Sequence, residues 1–338
     1  MGLLAKMKRE NLSRLRHLGA VAVMVVILAV ALNRLNWHAL ALSFTRLQPT
    51  SALSCAAVIG ISQMLMAIRW ALLATPPSAS VNWREVLVAL KGNVFNLVTP
   101  AAIGSDVYKV VNVNGSSRGR AFSAGLVLID RLIGIWSYAA VFLLALTQVS
   151  HILFGQDPSH RQWGVILTLA LPLFAGLVLA IPIVVIAAAG PWAERLIAAH
   201  VPRIGELQRA ALVVIRDYPP ARQALIVALG LAPVVCWIAS AVVLVRGTGL
   251  NLSATPVTLI VILTEFVRLI PLSVQGIGVR EATFAWLSSL AGGAAATAFV
   301  VCTVLYIINT IVAAGLGSIA GFWLGGSGLK IRKRGGEA

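Results

Sequence analysis

Twice in this chain, an apolar stretch that would otherwise cross a bilayer is interrupted by proline, glycine and charge. One break reads Ile270-Pro271-Leu272-Ser273-Val274-Gln275-Gly276-Ile277-Gly278-Val279-Arg280-Glu281. The other reads Thr99-Pro100-Ala101-Ala102-Ile103-Gly104-Ser105-Asp106-Val107-Tyr108-Lys109. In hydrocarbon a broken backbone leaves amides and carbonyls without partners, and a charge loses its water. Such segments persist only where they line a cavity or a polar site. One break in each half points to a transporter-like molecule rather than a passive anchor.

The rest of the composition agrees with a bilayer. Of 338 residues, 59% are hydrophobic and only 11% charged, with a mean hydropathy of +0.91. Soluble domains carry about 25% charged residues. Apolar spans fall near 18–34, 51–74, 121–149, 163–189, 222–245 and 294–324. Each approaches the roughly 20 residues that a crossing helix needs. Two shorter pairs surround the breaks: 84–98 with the piece after Pro100, and 255–270 with 281–291. The expected fold is all-α, a polytopic membrane helical bundle of about six full spans plus two re-entrant helical hairpins in opposite orientation. Eight full spans are the alternative. A basic cytoplasmic tail over 1–17 precedes a single transmembrane domain over 18–325, and 326–338 forms a second basic tail. Within the domain a first half runs to about 189 and a second begins at about 222.

The net charge of +16 lies just outside the apolar segments, as the positive-inside pattern requires. Zinc spacings and a basic recognition helix are lacking, so nucleic acid is not an expected partner. Both termini are expected in the cytoplasm, as is the loop 190–222 with Arg195, Arg203, Arg209, Arg216 and Arg222. The loop 150–162 should face outward. On that count the first hairpin enters from the cytoplasm and the second from outside, the arrangement of an inverted repeat. A weak echo joins them, Phe95 to Pro100 against Phe266 to Pro271. The N-terminal run resembles a signal peptide but lacks a small-residue cleavage site, and is read as a retained first helix. Cys55, Cys236 and Cys302 lie far apart in apolar helices and suggest buried side chains rather than a disulfide framework.

Charged residues inside the apolar sequence are the candidates for a site. Asp106 and Lys109 share one face of a first helical turn, where they either hold an anion or cap the helix. Asp130 and Arg131 sit about ten residues beyond Arg120, roughly 15 Å into the layer. Neighbours on a helix diverge by about 100°, so each needs a partner elsewhere. Lys109 or Arg280 suits Asp130, and Asp106 or Glu281 suits Arg131. Glu265 and Arg268 are spaced for a pair within one helix. Glu281 fits a helix cap, while Arg280 at a helix start opposes the dipole and calls for an anion such as phosphate. Arg69-Trp70 reads as an interfacial anchor. Asn93 and Asn96 suit either a helix–helix contact or a substrate. Gly-x-Ser-x-Gly, His-Glu-x-x-His and Walker motifs are missing, so neither an enzyme, a cofactor nor a metal site is expected.

At these residues the chain resembles the lysylphosphatidylglycerol synthase transmembrane-region family, also called the flippase-like domain family, over roughly 15 to 325. The resemblance rests on Arg69-Trp70, on Asn96, Pro100, Gly104 and Asp106, on Asp130, Arg131 and Gly134, and above all on Pro271 and Gly276 to Ala282. It implies a multi-pass protein of the bacterial inner membrane that moves a phospholipid or another polar lipid between leaflets. The transferase domain that follows in the synthases is absent from this sequence, so aminoacylation is not expected of it. The family usually has Gly where Ser105 stands, Arg for Lys109 and Glu for Asp130, and a late-helix Arg is replaced in the region of Tyr306 and Asn309. These departures leave the lipid open. An anionic or phosphate-bearing head group is expected, with hopanoid or glycolipid as alternatives. Asp106, Lys109, Asp130, Arg131, Glu265, Arg268, Arg280 and Glu281 would bind it, with Pro100, Gly104, Pro271, Gly276 and Gly278 as the structural breaks. A membrane enzyme acting on lipid phosphate and a non-transporting assembly partner are the competing readings, and a homo-oligomer is compatible with any of them.

Overall fold

A computed structural model describes residues 45, 47–97, 99, 103–113, 120–148, 161–188, 190, 205, 210, 212–269 and 276–326. Every regular element among them is helical. In chain order these are α1 (Pro49–Ala74), α2 (Trp83–Asn96), α3 (Gly104–Asn112), α4 (Arg120–Thr147) and α5 (Arg161–Ala188). A π-helical turn, Val213–Asp217, leads into α6 (Pro220–Gly247). Then follow α7 (Ala254–Arg268), α8 (Val279–Leu290) and α9 (Ala295–Gly326). The protein is an all-α polytopic bundle. Five of these helices, α1, α4, α5, α6 and α9, are long and apolar enough to cross a membrane. The expected first span, 18–34, lies outside the described residues, as do Pro100 and Pro271.

Local sequence sets the helix ends. Pro49 and Pro220 occupy first-turn positions, where a missing amide costs nothing. Asn82 caps α2 by accepting from the Arg84 amide at 3.0 Å, and Glu85 sits in the same first turn. At 14, 9, 15 and 12 residues, α2, α3, α7 and α8 reach only about 14 to 22 Å, short of the roughly 30 Å hydrocarbon core.

These short helices form two antiparallel hairpins. In the first, the Arg84 guanidinium at the start of α2 donates to the Asn112 carbonyl at the end of α3, 3.1 Å away. In the second, Leu252 before α7 lies against Gly293 after α8. The hairpins are rooted at opposite ends of the central pair α1 and α6, which run antiparallel. At one end the Gln48 amide donates to the Gly247 carbonyl. At the other, the Tyr218 hydroxyl donates to the carbonyls of Leu73 and Thr75. Arg222 there reaches the carbonyls of Thr75, Pro76 and Pro77. The first hairpin continues from the Thr75 end, the second from the Gly247 end.

Helix packing repeats this relation. α2 lies against α9 as α7 lies against α4; α1 lies against α9 as α6 lies against α4; α1 meets α4 as α6 meets α9. Exchanging α1–α4 with α6–α9 carries each of these contacts onto another. With α1 and α6 antiparallel, the relation is a twofold axis across the helices, the geometry of inverted repeats.

Close packing of α2 on α9 depends on Gly317. A methyl group there would overlap the Val94 side chain and approach the Leu90 carbonyl to 3.0 Å, whereas one at Gly315 would meet nothing within 4 Å. Overpacking of this kind costs about 1–3 kcal/mol. Gly317→Ala is therefore expected to lower the thermal unfolding midpoint in detergent. Gly315→Ala should leave it unchanged or raised.

Candidate functional site

Polar side chains converge between the two hairpins, in a cavity of about 280 Å³ lined by α1, α2, α3, α4, α6, α7 and α9. The tip of the first hairpin contributes Leu97, Ser105 and Asp106; the second contributes Arg268 and Leu269. The cavity is thus lined from both hairpins, by residues that flank their breaks.

Asp130 is the hub of one wall. Its Oδ1 accepts from Arg69 Nε at 2.7 Å, and its Oδ2 accepts from Lys109 Nζ at 3.2 Å. All three side chains are at least nine-tenths buried. Lys109 also lies 4.8 Å from the centre of the Trp70 ring, a cation–π distance. Arg131, one residue along, turns away and donates to Asp106. That pair is more open, with side chains 36% and 20% exposed. Adjacent residues on α4 therefore bind two different partners on α3, as their angular separation demands. Asp106 thus serves an ion pair rather than capping α3. The tip amides are held instead by the first hairpin's own side chains. Gly104 N–H donates to Thr99 Oγ1 at 2.9 Å, and Ser105 N–H donates to Asn96 Oδ1 at 2.7 Å. A side chain at Gly104 would run into the Phe95 carbonyl, so the tip closes only around glycine.

Glu265 is the hub of the facing wall. Trp237 Nε1 donates to it at 3.1 Å, and Arg268 Nη2 at 2.7 Å from the next turn of α7. The Tyr306 hydroxyl donates to the same carboxylate. Between the walls runs an amide ladder. Asn93 Nδ2 donates to Gln63 Oε1 at 2.6 Å, and Gln63 Nε2 donates to Asn309 Oδ1 at 3.0 Å.

Of the eight residues expected to bind substrate, six line this cavity: Asp106, Lys109, Asp130, Arg131, Glu265 and Arg268. Arg280 and Glu281 do not. They form a buried pair at 2.6 Å on α8, with Glu281 also accepting from the Gly278 amide as a helix cap. Arg280 stacks on Tyr306, 3.7 Å from its ring centre, and of these two only Tyr306 lines the cavity. Asp130 meets neither of them. Gly276 and Gly278 take the positive φ values of 74° and 84° that end the second break.

The reading of Arg69-Trp70 as an interfacial anchor is corrected, because Arg69 is 4% exposed and Trp70 is fully buried. Arg69 stands only five residues from the end of α1, close enough for an arginine to reach water, so its distance from the end gave no warning. The sequence reading also passed over Gln63 and Trp237, and noted Tyr306 only as a departure from the family pattern. For Gln63 the signal was available, a lone amide in the middle of an apolar run.

Removing one partner of a buried ion pair strands the other, at about 3–5 kcal/mol. Asp130→Asn, which leaves two cations facing a neutral amide, should lower unfolding stability by that order. Asp106→Asn, in the open pair, should cost about 1 kcal/mol or less. Denaturant titration in a mild detergent distinguishes the two.

No curated protein matches this sequence significantly. The model of one family, described as the lysylphosphatidylglycerol synthase TM region, matches residues 18–317. That match covers both hairpins, the central pair and nearly all of the helices that line the cavity. With five described helices able to cross a bilayer, the chain is a multi-pass membrane protein and belongs to the lysylphosphatidylglycerol synthase TM region family.

Proposed function

We propose that this protein moves a phosphate-bearing lipid between the leaflets of the inner membrane, with the head group passing through the cavity and the acyl chains remaining in the bilayer. The observation that carries this reading is the charge in the cavity. Four cations, Arg69, Lys109, Arg131 and Arg268, face three carboxylates, Asp106, Asp130 and Glu265. Among the described residues the lining thus carries one positive charge in excess, in a low-dielectric site where an anion is the natural counterpart. Arg268 Nε has no hydrogen-bond partner among the described residues. Arg131 is the most open of the ion-paired cations among the described residues. A lipid phosphate fits these donors, because guanidinium groups hold phosphate oxygens in a fork.

Opposed hairpins support translocation over simple binding. An inverted repeat lets one site be reached from either side, as one half rocks against the other. Under the positive-inside pattern, the end of the bundle marked by Arg222 faces the cytoplasm, as do both termini. The first hairpin is then rooted on the cytoplasmic side and the second on the outer side.

The test is dithionite quenching of nitrobenzoxadiazole-labelled phosphatidylglycerol in phosphatidylcholine vesicles that contain the purified protein. Wild-type protein should make inner-leaflet label accessible. Lys109→Gln combined with Arg131→Gln should slow this about tenfold or more, since a charge-assisted bond contributes about 1.5–3 kcal/mol. Equal rates in empty vesicles and wild-type vesicles would overturn the reading.

A further inference from the structure

Glu265 divides its hydrogen bonds unevenly between its two oxygens. The Trp237 indole and the Tyr306 hydroxyl both donate to Oε1, whereas Oε2 accepts from Arg268 Nη2. Arg268 is its one cationic partner among the described residues. Asp130 is built differently: each of its oxygens accepts from a separate cation, Arg69 or Lys109. Asp106 and Arg131 form the more open pair, where solvent can cover either partner. The Glu265 side chain has no such cover, being 7% exposed.

The other groups around Glu265 do not replace Arg268. Its helix, α7, packs against α4, α6 and α8, and α9 reaches it through Tyr306. From α4 comes Tyr138 and from α9 Cys302, both within electrostatic reach of the carboxylate and neither cationic. From α6 comes the neutral Trp237. On α8, Arg280 lies against the Tyr306 ring and is paired with Glu281.

Arg268 is in turn only half engaged. Nε and Nη2 share one edge of the guanidinium, and such an edge grips two phosphate oxygens in a fork. Here Nη2 bonds to Glu265, while Nε is buried with no hydrogen-bond partner among the described residues. A phosphate that takes both donors displaces Glu265 from Nη2. The carboxylate would then be buried without a cation, a state that is relieved by taking up a proton. The division of its bonds suits that change. Oε1 keeps both neutral donors as a carbonyl oxygen, and Oε2, once protonated, can donate to the phosphate.

We propose that Glu265 is a proton site coupled to the lipid: Oε2 takes up one proton from solvent when a phosphate occupies the Nε–Nη2 edge of Arg268, and returns it when the phosphate leaves. The proposal rests on the translocation reading above. No covalent bond is made or broken in the lipid. A phosphodiester lipid bears one negative charge, so lipid and proton together cross without net charge. Both travel in the same direction, and a pH difference drives lipid from the more acidic side to the more alkaline one. Coupling is reciprocal, so a phosphate that draws in a proton is itself held more tightly at lower pH. For one proton the affinity rises by up to about tenfold per pH unit as pH falls.

The experiment is calorimetric titration of the full-length protein in detergent with dioctanoyl phosphatidylglycerol, near neutral pH, in two buffers of different ionisation enthalpy. Wild-type heats are expected to differ between the buffers by the amount that corresponds to about one proton taken up per lipid bound. Affinity should strengthen toward acid. Glu265→Gln keeps the Trp237 and Tyr306 bonds; it should bind lipid with the same heat in both buffers and with little dependence on pH. In the vesicle quenching assay, an imposed pH difference should bias lipid movement in wild type but not in Glu265→Gln. Wild-type heats that are equal in the two buffers overturn the proton site, and this arm does not depend on how the variant folds. A Glu265→Gln protein that takes up a proton as wild type does also overturns it. Wild type that moves lipid without proton uptake sinks the proton site alone. Wild type that binds lipid with proton uptake yet moves none supports the proton site and sinks the translocation reading, so the two failures are distinguishable.

Discussion

Asp130 is the point on which the charged interior depends. Its two oxygens bind α1 through Arg69 and α3 through Lys109, so three separate helices meet at one carboxylate. In water such contacts would be weak. Inside hydrocarbon the alternative to pairing is a stranded ion, and the helices are confined to the arrangement that avoids one. The position of the first hairpin follows. α3 is only 9 residues long, and the bonds from Lys109 to Asp130 and from Asp106 to Arg131 tie it to α4.

The two halves share a fold but not a chemistry. In the register that aligns the breaks, Asp130 and Arg131 on α4 fall opposite Val301 and Cys302 on α9. The acid in the second half lies instead on the hairpin, as Glu265, with partners from α6, α7 and α9. One wall therefore ties its hairpin to a long helix through ion pairs, and the other does so through hydrogen bonds from Trp237 and Tyr306. On α9 the residue at this wall is Tyr306. Its ring takes up the Arg280 cation and its hydroxyl takes up Glu265, so one neutral side chain serves both charges.

Much of this was legible in the sequence because the membrane makes polarity conspicuous. Apolar runs gave the five described long helices, and the two breaks gave four short ones. The pairing of Asp130 and Arg131 with different partners follows from the angle between successive residues on a helix. What could not be read was distance across the bundle. Arg280 looks like a site residue because it is charged and beside a break, but it does not line the cavity, and its guanidinium lies against the ring of Tyr306, far away in sequence. Arg69 shows the converse. Near a helix end an arginine either reaches water or bends inward, and only the location of Asp130 on a third helix decides which.

The order of residues around the two carboxylates bears on how the chain enters the membrane. Both partners of Asp130, Arg69 and Lys109, precede it, so when α4 leaves the ribosome its acid already has counter-ions waiting in the bilayer. Glu265 has Trp237 before it, but Arg268 and Tyr306 after it. Each half can thus neutralise its carboxylate hub as it is synthesised, but only the second waits for its final helix to complete the hydrogen bonds of that hub. A nascent chain stalled between α8 and α9 would hold a finished amino-terminal half beside an acid still awaiting its last ligand.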